Sequence, residues 1–184
     1  MEVARLSIPD VIVLTPRKFA DDRGYFMETY SARSMGDALG EMAFVQDNES
    51  FSSETYTVRG LHYQAPPYAQ DKLVRVIRGR IFDVVVDVRK GSPTYGKWVG
   101  AELSAENRAQ LLAPRGFLHG FMTLEPDCLV AYKVSAFYDG PSDGGVRFDS
   151  PDLGIAWPGP TDKAVLSDKD KAAPDFSAFE SPFV

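Results

Sequence analysis

Two histidines in 184 residues make a short inventory of groups that can trade a proton near neutral pH. His62 stands in RGLHYQ and His119 in PRGFLHGF, each flanked by glycine and aromatic residues. An isolated histidine most often only satisfies hydrogen bonds in a core, so a chemical role needs partners. Neutral imidazole accepts a proton at physiological pH, and a carboxylate on one ring nitrogen fixes its tautomer and stabilises the cation that forms. The segment LSDKD supplies two candidates, Asp168 and Asp170. Tyrosine suits the complementary task of quenching a carbanion, and Tyr132 or Tyr138 in YKVSAFY could do so, although either taken alone reads first as a barrel-filling aromatic. A base, an acid and a cation on neighbouring strand-like segments point to proton transfer at carbon.

Metal chemistry fits less well. Pro114 to His119 resembles half of the metal-binding signature of the cupin superfamily, but the other half needs two closely spaced histidines followed by a glutamate. Here that place reads His62-Tyr63-Gln64. Two histidines without an evident acidic third ligand fall short of the usual three-ligand catalytic site, so no metal and no other cofactor is expected.

The elements that must hold these groups are strands. Fifteen glycines and thirteen prolines fall as punctuation along the chain, and helical periodicity is scarce, a pattern of short strands in a sandwich or barrel. In KLVRVIRGRIFDVVVDV, Arg78, Gly79 and Arg80 interrupt two β-branched runs, which predicts a hairpin over Lys72 to Val88. Phe82, Val84, Val86 and Val88 share one face of its second strand, with Asp83 and Asp87 on the other. In Cys128 to Tyr138, alternation gives Tyr132 and Tyr138 the same face. Helix is expected only over Ala32 to Leu39, after Ser31 as a cap, and around Ala105 to Arg108. The proline-rich tail from Pro151 to Val184 is expected to wrap the barrel as loop and short helix. With no repeat and no Gly/Ser-rich linker, residues 1–184 read as a single all-β domain.

Charge narrows the partners. Twenty Lys and Arg against 26 Asp and Glu leave a formal charge of −6, which argues against a nucleic-acid or anionic-membrane binder while leaving room for a local basic site. The single cysteine, Cys128, excludes an intramolecular disulfide framework. Lacking a membrane-length apolar run or a secretory leader pattern at its first residues, the chain is expected in the cytoplasm.

The order of motifs adds a resemblance. FADDRGYFMETY, FVQDNESFSS, VRGLHYQAPPYAQDKLVRVIRG, FDVVVDVRKGSPTYGKW, LLAPRGFLHGF, YKVSAFY and LSDKD follow one another along nearly the whole chain. Together they resemble the dTDP-4-dehydrorhamnose 3,5-epimerase family, cofactorless enzymes with a cupin-type antiparallel barrel or jelly roll. The resemblance implies that His62 removes protons beside the 4-keto group of a dTDP-4-keto-6-deoxy-hexose, that Asp170 pairs with it, and that Tyr132 is the acid. It implies Lys72 at the developing enolate oxygen, with His119 as a neighbouring donor, and Arg23 and Arg59 on the diphosphate. Further substrate contacts follow at Phe19, Phe26 and Glu28 for the thymidine portion, at Gln46, Asp47 and Asn48 for sugar and phosphate, and at Lys169 and Tyr138. Asp143 stands where the family pattern has glutamate before a glycine pair, a shorter side chain at the same place. The family also implies a homodimer with strands exchanged between subunits.

Two other readings use the same residues: an epimerase acting at one centre or on another nucleotide-linked 4-keto sugar, and a non-catalytic cupin that only binds. A pure binding module has no need of base, acid and oxyanion cation together. The metal-free expectation is tested by dialysis against a strong chelator, after which turnover should be unchanged. A stoichiometric metal whose removal abolishes turnover and whose return restores it would contradict that expectation.

Overall fold

The computed structural model describes residues 1–40 and 42–184. In chain order the elements are β1 (Glu2–Arg5), β2 (Ile12–Thr15), β3 (Lys18–Asp21), β4 (Gly24–Met27), α1 (Gly36–Leu39), β5 (Gln46–Ser52), β6 (Val58–Gln64), β7 (Lys72–Arg78) and β8 (Arg80–Asp87). They continue with β9 (Trp98–Ser104), β10 (Gln110–Ala113), β11 (Phe117–Thr123), β12 (Cys128–Val134), β13 (Asp143–Gly145) and α2 (Asp168–Lys171). Two antiparallel sheets face each other, one in the order β1-β2-β10-β7-β12-β5 and the other in the order β13-β6-β11-β8-β9, while β3 and β4 form a separate hairpin. This is the all-β, cupin-like architecture expected, with short peripheral helices. The core between the sheets is filled from both walls by Val74, Val76, Leu111 and Val130 on one side and Val85, Phe117 and Phe121 on the other. That interdigitation is the usual solution for two amphipathic sheets.

The expected hairpin over Lys72 to Val88 is not one. β7 pairs with β10 and β12, whereas β8 pairs with β9 and β11 in the opposite sheet. Gly79 is the corner. It has φ +83°, and a Cβ there would lie 2.5 Å from Cys128 Sγ, so the backbone turns out of one sheet against the start of β12. The strand assignments held and the pairing did not, because alternation reports which face a residue takes and not which neighbour a strand finds. The face assignment on β8 also stands: Val84, Val86 and Val88 lie together in one cluster with Phe82 against it, and Val85 belongs to the inter-sheet core. Both faces are covered, so Asp83 and Asp87 are fully buried.

The helical expectations shrink. The first survives only as α1, because Ser31 closes a turn, accepting from Ser34 N at 3.3 Å, and the helix begins at Gly36. At Ala105 to Arg108 there is a turn instead. Asn107 Oδ1 accepts from Ser104 N and Ala109 N, each at 3.0 Å, and Arg108 has φ +59°, which ends any helix. The tail behaves as expected: Leu153, Trp157, Phe176, Phe179 and Phe183 pack on the outer face of the β8-bearing sheet over Val84, Val86 and Leu118.

Asp87 ties off the end of β8. It accepts from Arg89 Nη2 at 2.7 Å and from Ser92 Oγ and Thr94 Oγ1 at 2.6 Å each. Burial pushes its carboxyl up, but the Arg89, Ser92 and Thr94 hydrogen bonds outweigh that and hold it at about 2. Its stabilisation is therefore complete above the unfolded value of about 3.9 and is lost as pH falls through the folded one. Asp87→Ala should cost about 2 to 3 kcal/mol at pH 7, since it leaves two hydroxyls without their acceptor and Arg89 with only the exposed Asp10 carboxylate at 3.2 Å. In urea titrations the gap to wild type should close towards pH 2, and a gap that stays constant would show that the carboxylate charge plays no part.

Candidate active site

His62 and His119 are brought together by glycine. β6 and β11 run antiparallel with His62 and His119 as register partners, and Gly60 and Gly120 sit nearby on the same two strands. Gly60 has φ +125°, and a Cβ on it would stand 2.6 Å from Gly120 Cα, so only two bare backbones permit this approach. The glycine beside each histidine in RGLH and HGF thus has a steric reason.

Each imidazole then meets one carboxylate. His62 Nε2 lies 2.5 Å from Asp170 Oδ1, and His119 Nε2 lies 2.6 Å from Asp83 Oδ1. An ionised carboxylate only accepts, so Nε2 carries the hydrogen in both rings, and the lone pair of neutral His62 is on Nδ1. Asp170 is placed by the tail. Val165 pairs with the entry to β6, its carbonyl accepting from Val58 N at 2.9 Å and its amide donating to Tyr56 O at 3.0 Å. Ser167 then caps α2, its hydroxyl oxygen accepting from Asp170 N at 3.1 Å. Burial pushes the Asp170 carboxyl up, but the His62 and Ser167 hydrogen bonds and the Lys169 charge outweigh it, so it sits below the usual carboxylate range.

The opposite wall supplies the rest. Lys72 on β7 and Tyr132 on β12 belong to the six-stranded sheet, while Arg59, His62 and His119 belong to the five-stranded one. All five, with Asp170, line one cavity of about 370 Å³. Burial lowers the Lys72 ammonium to about 8, against the pull of Asp143 and Asp83 and with the help of Lys169. Burial raises the Tyr132 phenol, Asp143 adds to this and Arg59 opposes it, so Tyr132 keeps its proton at neutral pH. Arg59 is held by the opposite sheet, donating to β5 through Nη2 to Phe51 O at 2.8 Å and through Nε to Ser52 Oγ at 3.2 Å.

A polar chain adjoins these groups. Asp143 on β13 accepts from Lys169 Nζ and, at 3.3 Å, from the Tyr138 hydroxyl. Tyr138 N donates to Gln46 Oε1 at 3.1 Å, and Gln46 Nε2 donates to Asn48 Oδ1 at 2.8 Å. The expectation that Tyr138 shares a strand face with Tyr132 fails: β12 stops at Val134, alternation stops with it, and Tyr138 is 63% exposed. Asp47 is turned away as well. It alternates with Gln46 and Asn48 and pairs with Lys133 Nζ at 2.7 Å, lining a different cavity with Arg75 and Lys133. Phe19, Arg23 and Phe26 stand on the β3–β4 hairpin and line a groove of their own, where Arg23 is paired with Asp21 at 2.6 Å. Glu28, just beyond that hairpin, accepts from Ser34 Oγ at 2.6 Å.

Three participants were missed in the sequence. Asp83 orients His119 and leaves its other oxygen buried with no partner. The signal was there in FDVVVDV: a carboxylate between valines on a strand covered on both faces must be buried, and a buried carboxylate needs a donor. Ser167 was readable as a cap, since Ser followed three residues on by an acid is a helix-start pattern. Ser50 lines the cavity with an unpartnered hydroxyl, and nothing in its spacing marked it. Among the described residues, no three His, Cys, Asp or Glu side chains gather as ligands of an ion would.

Comparison with known proteins identifies the family. A family model described as dTDP-4-dehydrorhamnose 3,5-epimerase matches residues 5–178. A dTDP-4-dehydrorhamnose 3,5-epimerase of Sinorhizobium fredii is 54% identical over 169 residues, covering 92% of this chain and 86% of that protein. The crystal structure of dTDP-6-deoxy-D-glucose-3,5-epimerase from Legionella pneumophila in complex with dTDP-4-keto-L-rhamnose superposes with a TM-score of 0.92 at 39% identity, covering 97% and 94% of the two chains. The enzyme from Bacillus anthracis with TDP and PPi bound gives 0.91 at 46% identity, covering 95% and 98%. With the motifs in order, the barrel around them and a paired histidine facing a tyrosine across one cavity, the chain belongs to the dTDP-4-dehydrorhamnose 3,5-epimerase family.

Proposed function

We propose that this chain is an isomerase that inverts C3 and C5 of dTDP-4-dehydro-6-deoxy-D-glucose, giving dTDP-4-dehydro-L-rhamnose, with residues 1–184 acting as one catalytic domain and without a cofactor. The observation that carries the mechanism is the opposition of His62, backed by Asp170, and Tyr132 on facing sheets of one cavity. Inversion takes a proton from one face of a sugar carbon and returns one to the other, so base and acid must stand on opposite sides of the ring. Nδ1 of His62 takes the proton next to the ketone, and Asp170 stabilises the imidazolium. The charge passes to the carbonyl oxygen, where the Lys72 ammonium and His119 stabilise the enolate. Tyr132 delivers a proton to the opposite face. The same base then serves the second centre after the ring turns.

Arg59 suits the diphosphate, and Lys169, next to Asp170 on α2 and paired with Asp143, suits the sugar. Among the described residues, Phe19, Arg23, Phe26 and Glu28 line no part of this cavity, and the six-stranded sheet ends in two edge strands, β1 and β5. A homodimer that exchanges edge strands accounts for both facts, covering the edges and offering the hairpin to a second copy. The enzyme would work in the cytoplasm, on a nucleotide sugar and not on nucleic acid or membrane. Among the described residues no helix is long and apolar enough to cross a membrane.

In deuterated water with dTDP-4-keto-6-deoxy-D-glucose, NMR should show both C3 and C5 protons exchanging as product forms, and His62→Ala should abolish exchange at both. Tyr132→Phe keeps the base and the cation but loses the acid, so it should wash deuterium into the substrate while forming little inverted product; wild-type inversion by this variant would exclude Tyr132 as the acid. The rate should also fall as pH rises through about 8, because the ammonium of Lys72 is lost there. Lys72→Ala should lower kcat more than it weakens binding. An unchanged kcat with raised KM would make Lys72 a binding residue only.

A further inference from the structure

Asp170 is held from two directions, and only one of them is the histidine. Its Oδ1 lies on His62, while its Oδ2 accepts from the Ser167 hydroxyl at 2.8 Å. The Ser167 oxygen in turn accepts from Asp170 N at 3.1 Å, so the two residues are joined at both ends. The terminal torsion of an aspartate is broad, and with one oxygen free the carboxylate could rotate away from the imidazole. Lys169, beside it on α2, does not supply that second restraint because its ammonium goes to Asp143. Ser167 also inherits its position from the strand that carries His62, since Val165 two residues earlier is hydrogen-bonded to the entry of β6. The path from His62 along β6, across to Val165, through Ser167 to Asp170 and back to His62 is a closed loop.

Capping alone does not call for this serine. Asparagine, aspartate, threonine or glycine would cap as well or nearly so, and Ser167 is exposed, so it fills no core. What a hydroxyl adds is a donor aimed at a carboxylate. Resting on the proton-transfer reading of the same site, we propose that Ser167 is a positioning residue for the base: it holds the second oxygen of Asp170, keeps the first on Nε2 of His62, and so keeps Nδ1 as the nitrogen that meets the substrate. The charged and titratable groups around this pair are Lys169 on α2, Arg59 on β6, Lys72 on β7, His119 on β11 and Tyr132 on β12. None of them donates to Asp170 Oδ2 among the hydrogen bonds of the described residues.

Ser167→Gly removes the hydroxyl and with it both hydrogen bonds to Asp170, at a position where glycine is still a tolerated helix N-cap, whereas Ser167→Thr keeps both bonds. In Ser167→Gly, kcat should fall about 10- to 100-fold, the scale seen when a group orienting a metal-bound histidine is lost, with KM within about twofold. The acid limb of its rate profile should move to higher pH, because the Asp170 carboxylate loses a hydrogen bond that holds it ionised. Imidazole ¹⁵N shifts in the substrate-free protein, simple to assign with two histidines, should show His62 changing from a single Nε2–H tautomer to a mixture. Ser167→Thr should restore all of these. Wild-type kcat and a single tautomer in Ser167→Gly, or equal losses in both variants, would overturn the proposal. Failure of wild type to exchange C3 or C5 protons would instead overturn the assigned reaction, and the tautomer readout would still decide the role of Ser167.

Discussion

An imidazole can lift a proton from carbon only while one of its nitrogens is kept bare. Here that condition rests on a 2.5 Å contact between His62 and Asp170, two residues 108 positions apart in the chain. Much else in the molecule serves it. Gly60 and Gly120 let β6 and β11 close up so that His62 is fixed against a second strand, and the tail is laid along the start of β6 so that a one-turn helix can present a carboxylate. The barrel sets a wall of the other sheet across the cavity, with Tyr132 and Lys72 on it.

The electrostatics of the cavity follow from burial more than from net charge. The chain is acidic overall, yet the cations Arg59 and Lys72 line the cavity and Lys169 stands beside Asp170 on α2. Desolvation loosens the hold of Lys72 on its proton. Asp143 and Asp83 pull the other way, leaving an ammonium that is charged at neutral pH but weakly enough solvated to respond to a new negative charge nearby. Asp143 does this while also neutralising Lys169, so one carboxylate serves two cations. The aspartate in place of the family's glutamate is long enough for both.

Much of this was legible in the residues. Period-two alternation located β8 and β12 and assigned their faces, since a strand covered on both sides still puts Val84, Val86 and Val88 on one face and Asp83, Val85 and Asp87 on the other. The two histidines, Asp170 and the tyrosine were visible as types, and the motif order supplied their roles. What could not be read was anything decided by a partner distant in sequence. The run from Lys72 to Val88 looks like a hairpin until Cys128 takes the space beside Gly79. Tyr138 looks like a partner of Tyr132 until the strand ends. Asp47 sits in the middle of a matching motif but has the wrong parity for the cavity, and Phe19, Arg23 and Phe26 ride on a hairpin that belongs to neither sheet.

The placement of Asp170 also sets an order of events during synthesis. Every strand of both sheets precedes residue 146, so a growing chain can assemble its barrel, cavity, histidines and tyrosine before Asp170 has been made. At that stage His62 has no carboxylate and no reason to prefer one tautomer. The final segment has to emerge and lay Val165 beside the entry to β6 before His62 has its carboxylate. The carboxylate that orients His62 is therefore made after every strand that encloses the cavity, so the barrel precedes its own charged pair in chain order.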